Sequence, residues 1–445
     1  MLIRSISGLR GLTQSHLTPE VSIAYARSLD EYLPNGVIMS GRDSRPSGEL
    51  LIDTINEELS RLGRTVIDCG IVPTPTVQFM VHSTEAVGGY IVTASHNPGE
   101  WNGIKFLRSD STFFHAEDCE QLFRIADLNE YKNSSDNSGI VWQEKNALQK
   151  HIISCASLTC IDLNRIQRKK YKVVVDAVNG AGSIALPALL ESLGCEVIEI
   201  NCEPNGNFTR GTEPLPEHLD DLAKMVVHHE ADVGFAVDPD ADRLAVVDEK
   251  GVPLGEESTI ILAADGYLRE TRKQQHFVVN LSTSMAIDKL AQIHNCKVSR
   301  SAVGEINVVN KMNDINSEFG GEGNGGVILR ESHLGRDSLV AATLVLNRMS
   351  QSDIAISAVH GTLPSFEIIK DKISVNGIDF EEIIEKINFQ FKDAILEKID
   401  GYKFSWDDKW IHIRKSNTEP IIRIYAEAQD KKYATDLIKK VKNVV

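Results

Sequence analysis

The sequence predicts an α/β protein with three similar α/β domains in series and a smaller C-terminal α+β domain. A strand, helix, strand pattern appears three times, and from residue 366 onwards strands and helices no longer alternate in that way. The chain has 445 residues, more than one hydrophobic core sustains.

The first pattern opens with the apolar run Gly36-Val-Ile-Met-Ser40, continues in a helix over 48–62 and closes in Arg64-Thr-Val-Ile-Asp68. The second runs from Tyr171-Lys-Val-Val-Val-Asp176 through Asn179-Gly-Ala-Gly182 and a helix to Leu193, then Cys195-Glu-Val-Ile-Glu-Ile200. The third is His276-Phe-Val-Val-Asn280, a helix over 284–293 and Cys296-Lys-Val-Ser299. Strands alternating with helices imply parallel pairing through right-handed crossovers. Before the first pattern, Thr18-Pro19 supplies an N-cap and a first-turn proline for a helix carrying Val21, Ala24 and Leu29. The last segment predicts a helix over 380–391, strands at 410–414 and 421–426, and a closing helix. Gly361 to Pro364 reads as the linker before it. The expected domains are 1–150, 151–255, 256–365 and 366–445.

Composition narrows the function. With 42% apolar and 25% charged residues the chain is an ordinary globular protein. Its first residues lack the apolar core of a secretory signal, and no apolar run reaches the length of a membrane span. Seven cysteines without paired spacing point to a reducing cytoplasm. A net charge of −16 argues against nucleic acid or an acidic membrane as partner, yet leaves room for a small anion held by a local arginine cluster.

Four segments carry chemistry. Tyr90-Ile-Val-Thr-Ala-Ser-His-Asn-Pro98 ends a short strand in a polar turn, which either projects Ser95 into a cleft or merely reverses the chain. Val233 to Val237 is a strand that runs into Asp238-Pro-Asp-Ala-Asp-Arg243. Carboxylates at i, i+2 and i+4 converge only on extended or looped backbone, and three close aspartates call for a divalent cation. An EF-hand does not fit, because Arg243 stands where that loop needs glycine. Gly320-Gly-Glu-Gly-Asn-Gly-Gly326 lets the backbone approach a ligand, with Glu322 and Asn324 suited to sugar hydroxyls; a surface turn is the alternative. Arg414-Lys-Ser-Asn-Thr-Glu-Pro420, followed by Arg423, can surround a phosphate or form a polar hairpin.

In this order, the four segments resemble the α-D-phosphohexomutase superfamily of phosphoglucomutases, phosphomannomutases and phosphoglucosamine mutases, over the whole chain. The resemblance implies four domains around a central cleft and a phosphorylated Ser95 in Thr93-Ala-Ser-His-Asn-Pro98. It places Asp238, Asp240 and Asp242, with Ser95, on one magnesium ion per active site. Sugar recognition falls on Glu322 and Asn324, and distal phosphate binding on Arg414, Ser416, Asn417, Thr418 and Arg423. Ser7-Gly-Leu-Arg-Gly11 and Asn102-Gly-Ile-Lys-Phe106 are similar to family segments whose arginine and lysine match Arg10 and Lys105, candidates for stabilising transfer and managing protons. Arg42 and Arg45 in Gly41-Arg-Asp-Ser-Arg45, together with Arg243, complete the expected active site; His96 is a helper or, more in character, a loop-positioning residue.

The implied reaction interconverts hexose 6-phosphate and hexose 1-phosphate through a 1,6-bisphosphate, which also serves as activator. Relatives acting on glucose or mannose phosphates often have Ser where this chain has Asn324 and His where it has Gly326, whereas Glu322-Gly-Asn-Gly-Gly326 and the opening Ser5-Ile-Ser-Gly-Leu-Arg10 resemble phosphoglucosamine mutases, which implies a glucosamine phosphate as substrate. The alternatives are phosphomannomutase or phosphoglucomutase activity and, from another class, a phosphoserine-type sugar phosphatase. The chain is expected to act in the cytoplasm as a monomer or homodimer.

Overall fold

Thr18 begins the first long helix as its sequence requires: its side chain accepts the Val21 N–H and Pro19 occupies the first turn of Pro19–Tyr32. The computed structural model describes residues 2–129, 131, 138–374, 380–415 and 421–444. They form two compact units, one of Met1–Arg272 with Asn324–Val359, the other of Lys273–Gly323 with His360–Val445. The expected third domain contributes to both.

In the first unit, strand Ile38–Arg42, helix Pro46–Arg61 and strand Val66–Ile71 realise the first pattern, and the two strands pair in parallel. The seven-stranded sheet around them is mixed, however. Strand Gly8–Leu12 pairs antiparallel with Trp101–Arg108, which pairs antiparallel with Gly88–Val92. The segments holding Arg10 and Lys105, far apart in the chain, are therefore neighbouring strands, with Arg10 opposite Gly103. The second pattern gives parallel strands Lys172–Asp176 and Glu196–Ile200 around helix Gly182–Ser192, and Val233–Val237 joins the same sheet.

Gly88–Val92 and Val233–Val237 are buried at every position, so their apolar faces pack on both sides and their C-terminal ends are rigid. Ser95 and Asp238 leave from those ends.

In the second unit, His276–Asn280 lies parallel to Lys297–Ser301 and to Phe319–Glu322. The C-terminal part is an antiparallel sheet in the order Glu367–Ser374, Ile421–Ala428, Trp410–Lys415, Tyr402–Ser405, Ile395–Glu397. Helices Phe380–Gln390 and Lys431–Lys442 cover it, burying Ile383, Ile387, Leu437 and Ile438 against Ile411, Ile413, Ile422 and Ile424. No described helix is long and apolar enough to cross a membrane.

Candidate active site

Ser95 is 2% exposed and adopts φ 49°, a left-handed conformation that costs a non-glycine residue on the order of 1 kcal/mol. Arg45 holds the loop in that shape. Its Nε bonds Asp43 Oδ2 at 3.0 Å; Nη1 donates to the carbonyls of Pro98 (2.6 Å) and Trp101 (3.1 Å), and Nη2 to those of Ser95 (2.5 Å) and Asn97 (2.7 Å). All the N–H donors of the guanidinium are thereby engaged, and Phe208 lies 4.8 Å away against its face. Thr93 Oγ1 links the same parts, accepting the Ser95 N–H at 2.9 Å and donating to Asp43 Oδ2 at 2.6 Å. Arg45→Lys keeps a charge beside Asp43 but strands several carbonyls. It is expected to cost at least about 2 kcal/mol in urea unfolding and to lower kcat.

The Ser95 hydroxyl lies 3.3 Å from Asp238 Oδ2 and 3.3 Å from His96 Nδ1. Asp238, Asp240 and Asp242 are 0–1% exposed, and their ligand oxygens lie within 4.8 Å of one another. The loop that gathers them turns at Ala241, φ 51°, whose N–H bonds the Asp238 carbonyl at 3.0 Å. Asp238 Oδ1 accepts the N–H groups of Asp242 and Arg243, each at 3.2 Å. Asp240 Oδ2 is held by Lys105 Nζ at 2.7 Å and Thr74 Oγ1 at 2.9 Å, and Asp242 Oδ2 by Arg336 Nη2 at 2.6 Å.

One oxygen of Asp240 and one of Asp242, the Oδ1 atoms, are buried without a hydrogen-bond partner. Arg243 Nε lies 3.6 Å from Asp242 Oδ1, too far for a hydrogen bond, and a buried carboxylate oxygen without one is costly unless a cation meets it closely. Together with Asp238 Oδ2, these hard anionic oxygens suit a divalent metal such as magnesium.

The electrostatics agree. Burial and the neighbouring Asp242 and Asp240 carboxylates push Asp238 well above the usual carboxylate range. Burial acts on Asp240 in the same sense, but the charge and hydrogen bond of Lys105, with the Thr74 bond, outweigh it and hold Asp240 well below that range. His96 is pushed down to about 4 by burial and by the Arg243 guanidinium, so its ring is neutral near pH 7. Arg243 Nη1 pairs with Glu213 at 2.5 Å, and Nη2 lies 3.4 Å from His96 Nδ1. Arg10 Nη1 donates to Asn97 Oδ1 at 3.1 Å.

The phosphoglucomutase/phosphomannomutase alpha/beta/alpha domains I, II and III match residues 2–132, 149–251 and 255–365, and the C-terminal domain of that family matches 374–444. The chain belongs to the phosphoglucomutase/phosphomannomutase family. It is 35% identical to a phosphoglucomutase/phosphomannomutase of Thermococcus kodakarensis, covering 97% of this chain and 95% of that one. It is 30% identical to a phosphoglucosamine/phosphogalactosamine mutase of Sulfurisphaera tokodaii, covering 98% of both. Its fold matches a phosphoglucomutase/phosphomannomutase family protein of Burkholderia thailandensis with a TM-score of 0.86 at 22% identity, over 99% of this chain and 97% of that one. It is a phosphohexomutase, an isomerase.

Not every expected residue of this mutase joins the Ser95 cluster directly. Arg45 acts on the loop from beneath, with no N–H left for a substrate. Arg42 donates to the Asp43 carbonyl at 3.1 Å and lies 4.0 Å from Glu49. Asn324, in the first unit, accepts the Gly326 N–H at 3.2 Å. Glu322 belongs to the second unit, where it accepts Asn280 Nδ2 at 2.7 Å and the Gly304 N–H at 3.0 Å. Arg414 stands directly opposite Arg423 in the antiparallel pair, with Asp400 3.6 Å from its Nη1. Ser416, Asn417 and Thr418 lie outside the described residues.

Sequence reasoning missed Thr74, Glu213, Arg336 and Arg210, whose Nη2 donates to the Val237 carbonyl at 2.7 Å just before Asp238. No local pattern marks them, since Arg336 is 94 positions from Asp242 and Thr74 166 from Asp240. A second buried cluster, His151, His333 and Asp337, lies in the same unit. Both imidazole Nε2 atoms face Asp337 Oδ2, at 2.9 and 3.2 Å, while Asp337 Oδ1 caps helix Ser338–Ser350.

Proposed function

We propose that this phosphohexomutase is a phosphoglucosamine mutase, converting glucosamine 6-phosphate into glucosamine 1-phosphate with Ser95 as the phosphoryl carrier. The observation that carries the serine's role is its hydroxyl, 3.3 Å from Asp238, beside two carboxylates that each keep a buried oxygen without a hydrogen bond. The glucosamine preference is supported by Asn324 and Gly326 in the glycine-rich loop and by the Sulfurisphaera relative's name.

In the first half-reaction the bond from phosphorus to Ser95 Oγ breaks and one to a sugar hydroxyl oxygen forms, giving the 1,6-bisphosphate. The proton released by that hydroxyl ends on Ser95. The second half-reaction reverses these bonds with the other phosphate. Asp238, Asp240 and Asp242 would hold Mg2+, which supplies charge neutralisation for the transferring phosphoryl group. Lys105 and Arg336 keep one oxygen of Asp240 and one of Asp242 occupied, so each carboxylate presents its other oxygen. Neutral His96, with Nδ1 3.3 Å from Ser95 Oγ, can accept a hydrogen bond from the serine hydroxyl and shape the loop; burial and Arg243 make its ring too weak a base to take the proton itself.

Arg414 and Arg423 are proposed to grip the phosphate that is not reacting. Like charges directly opposite in a sheet repel, and an anion between them turns that repulsion into binding. A sugar phosphatase has no use for this second grip. The seven unpaired cysteines support a reducing cytoplasm as the location. The family matches support the domain limits 1–150, 151–255, 256–365 and 366–445.

The test is a coupled assay with Mg2+ and a trace of hexose 1,6-bisphosphate, comparing glucosamine, glucose and mannose 6-phosphates. The expected result is the highest kcat/KM with glucosamine 6-phosphate. A higher value with mannose or glucose 6-phosphate establishes the alternative specificity, favoured by the Thermococcus relative's name. Steady release of inorganic phosphate without isomerisation would mark a phosphatase.

A further inference from the structure

We infer that Arg336 is a positioning residue of the aspartate cluster and that Gly326 is glycine to make room for it. The inference rests on the reading of Asp238, Asp240 and Asp242 as a divalent-cation site, and it assigns a residue that no motif marks.

The cluster is built with a symmetry of handles. Asp240 gives Oδ2 to Lys105 at 2.7 Å and Asp242 gives Oδ2 to Arg336 at 2.6 Å; neither Oδ1 has a hydrogen-bond partner, although Arg243 Nε lies 3.6 Å from that of Asp242. A carboxylate tied at one oxygen cannot rotate freely, so each cation fixes the direction in which the other oxygen points. Groups that hold the far oxygen of a metal-binding carboxylate typically change metal affinity by about 10- to 100-fold.

Arg336 itself is 9% exposed, and its segment is pinned next to it on several sides. The Asp337 N–H donates to the Val327 carbonyl at 2.9 Å, the Asp337 carboxylate is held by His151, His333 and the helix it caps, and Ser338 Oγ donates to the Ala241 carbonyl of the aspartate loop at 2.7 Å. The buried histidine–aspartate cluster thereby fixes the backbone from which Arg336 reaches Asp242.

Gly326 completes the device. Its φ is not one that demands glycine, but a Cβ there would lie 2.2 Å from Arg336 Cδ and 2.9 Å from Cγ. Any side chain at 326 must therefore displace the aliphatic stem of Arg336 and draw its guanidinium away from Asp242. The arginine and the glycine act as one unit, although they lie on different segments.

The experiment is a Mn2+ titration of the full chain followed by electron paramagnetic resonance, with circular dichroism and thermal melting to establish that each variant is folded. Arg336→Met is expected to weaken Mn2+ binding by about 10-fold or more. Gly326→Ala, which moves the arginine without deleting it, is expected to weaken binding in the same direction. Arg336→Lys restores part of the loss, since an ammonium supplies charge without the planar fork. In turnover assays, raised free Mg2+ restores kcat in Arg336→Met.

Folded Arg336→Met that binds Mn2+ as tightly as the parent, or more tightly, overturns the inference: the arginine is then only a counter-charge. Unchanged binding in Gly326→Ala overturns the link between the two residues. Asp240→Asn separates this from the reading beneath it. Parent binding that is lost in Asp240→Asn but kept in Arg336→Met sinks the Arg336 role alone, whereas a parent that binds no Mn2+ sinks both.

Discussion

Ser95→Ala is expected to abolish both turnover and labelling of the protein by radioactive hexose 1,6-bisphosphate. The substitution removes one oxygen, and Arg45, Thr93 and Asp43 still hold the loop, because their bonds go to the backbone of residues 95 and 97 and to one another. The loss therefore separates nucleophile from scaffold. A folded alanine variant that is still labelled, or that keeps more than about one ten-thousandth of the parental turnover, sinks the carrier role. The expected drop is at least about 10⁴-fold, since nothing else in the buried loop offers a nucleophilic oxygen at that place. Intact binding of glucosamine 6-phosphate by this variant would show that the remaining charges still recognise the substrate.

Lys105→Met is expected to produce the largest change in stability as well as a deep loss of activity. Lys105 is 6% exposed and lies 2.7 Å from Asp240 and 3.9 Å from Asp242. Its removal leaves a buried carboxylate without its cation, a change that costs about 3–5 kcal/mol when one partner of a buried pair is deleted. The sign with pH follows from Asp240, which the lysine holds below the usual carboxylate range despite burial. Its ionised form contributes stability that is fully present above about pH 4, the ordinary carboxylate pKa, and is lost as pH falls through the depressed value. Parent and variant should therefore differ most near neutrality and converge in acid, as read from urea midpoints in the absence of divalent cations. Added Mg2+ should return part of the lost stability to the variant by meeting the uncompensated carboxylates. Equal midpoints at pH 7 would show that Asp240 does not depend on Lys105.

Much of the fold is legible in local pattern. Each expected strand, helix, strand repeat is present, and each pairs its two strands in parallel, because apolar β-branched runs and amphipathic helices announce themselves within a few turns of chain. The antiparallel neighbours are another matter. Gly8–Leu12 and Trp101–Arg108 are expected only as functional segments, and their pairing joins residues far apart in the chain. Gly8, Arg10 and Gly11 in one strand and Gly103, Lys105 and Arg108 in the other blur the alternation that betrays a strand, and the sheet supplies the order that local propensity lacks. The candidate site divides in the same way. Ser95, His96 and the three aspartates stand in short runs that can be read directly. Thr74, Arg210, Glu213 and Arg336 are single residues in ordinary surroundings, and only folding brings them to Asp240, Val237, Arg243 and Asp242.

By itself, the sequence determined the family, the serine loop, the aspartate trio and the repeating α/β domains, since each rests on residues that are close in the chain and constrained by local geometry. Tertiary structure alone decided which cations hold which carboxylate oxygen, that Arg45 spends its donors on the serine loop, and that Gly326 clears a path for Arg336. Most of these depend on distances between strands and loops far apart in the chain, from the 50 residues between Arg45 and Ser95 to the 135 between Lys105 and Asp240. Hydrogen-bond donors and close-packed volumes are allotted only when the chain has folded, and a linear pattern carries no record of that allotment.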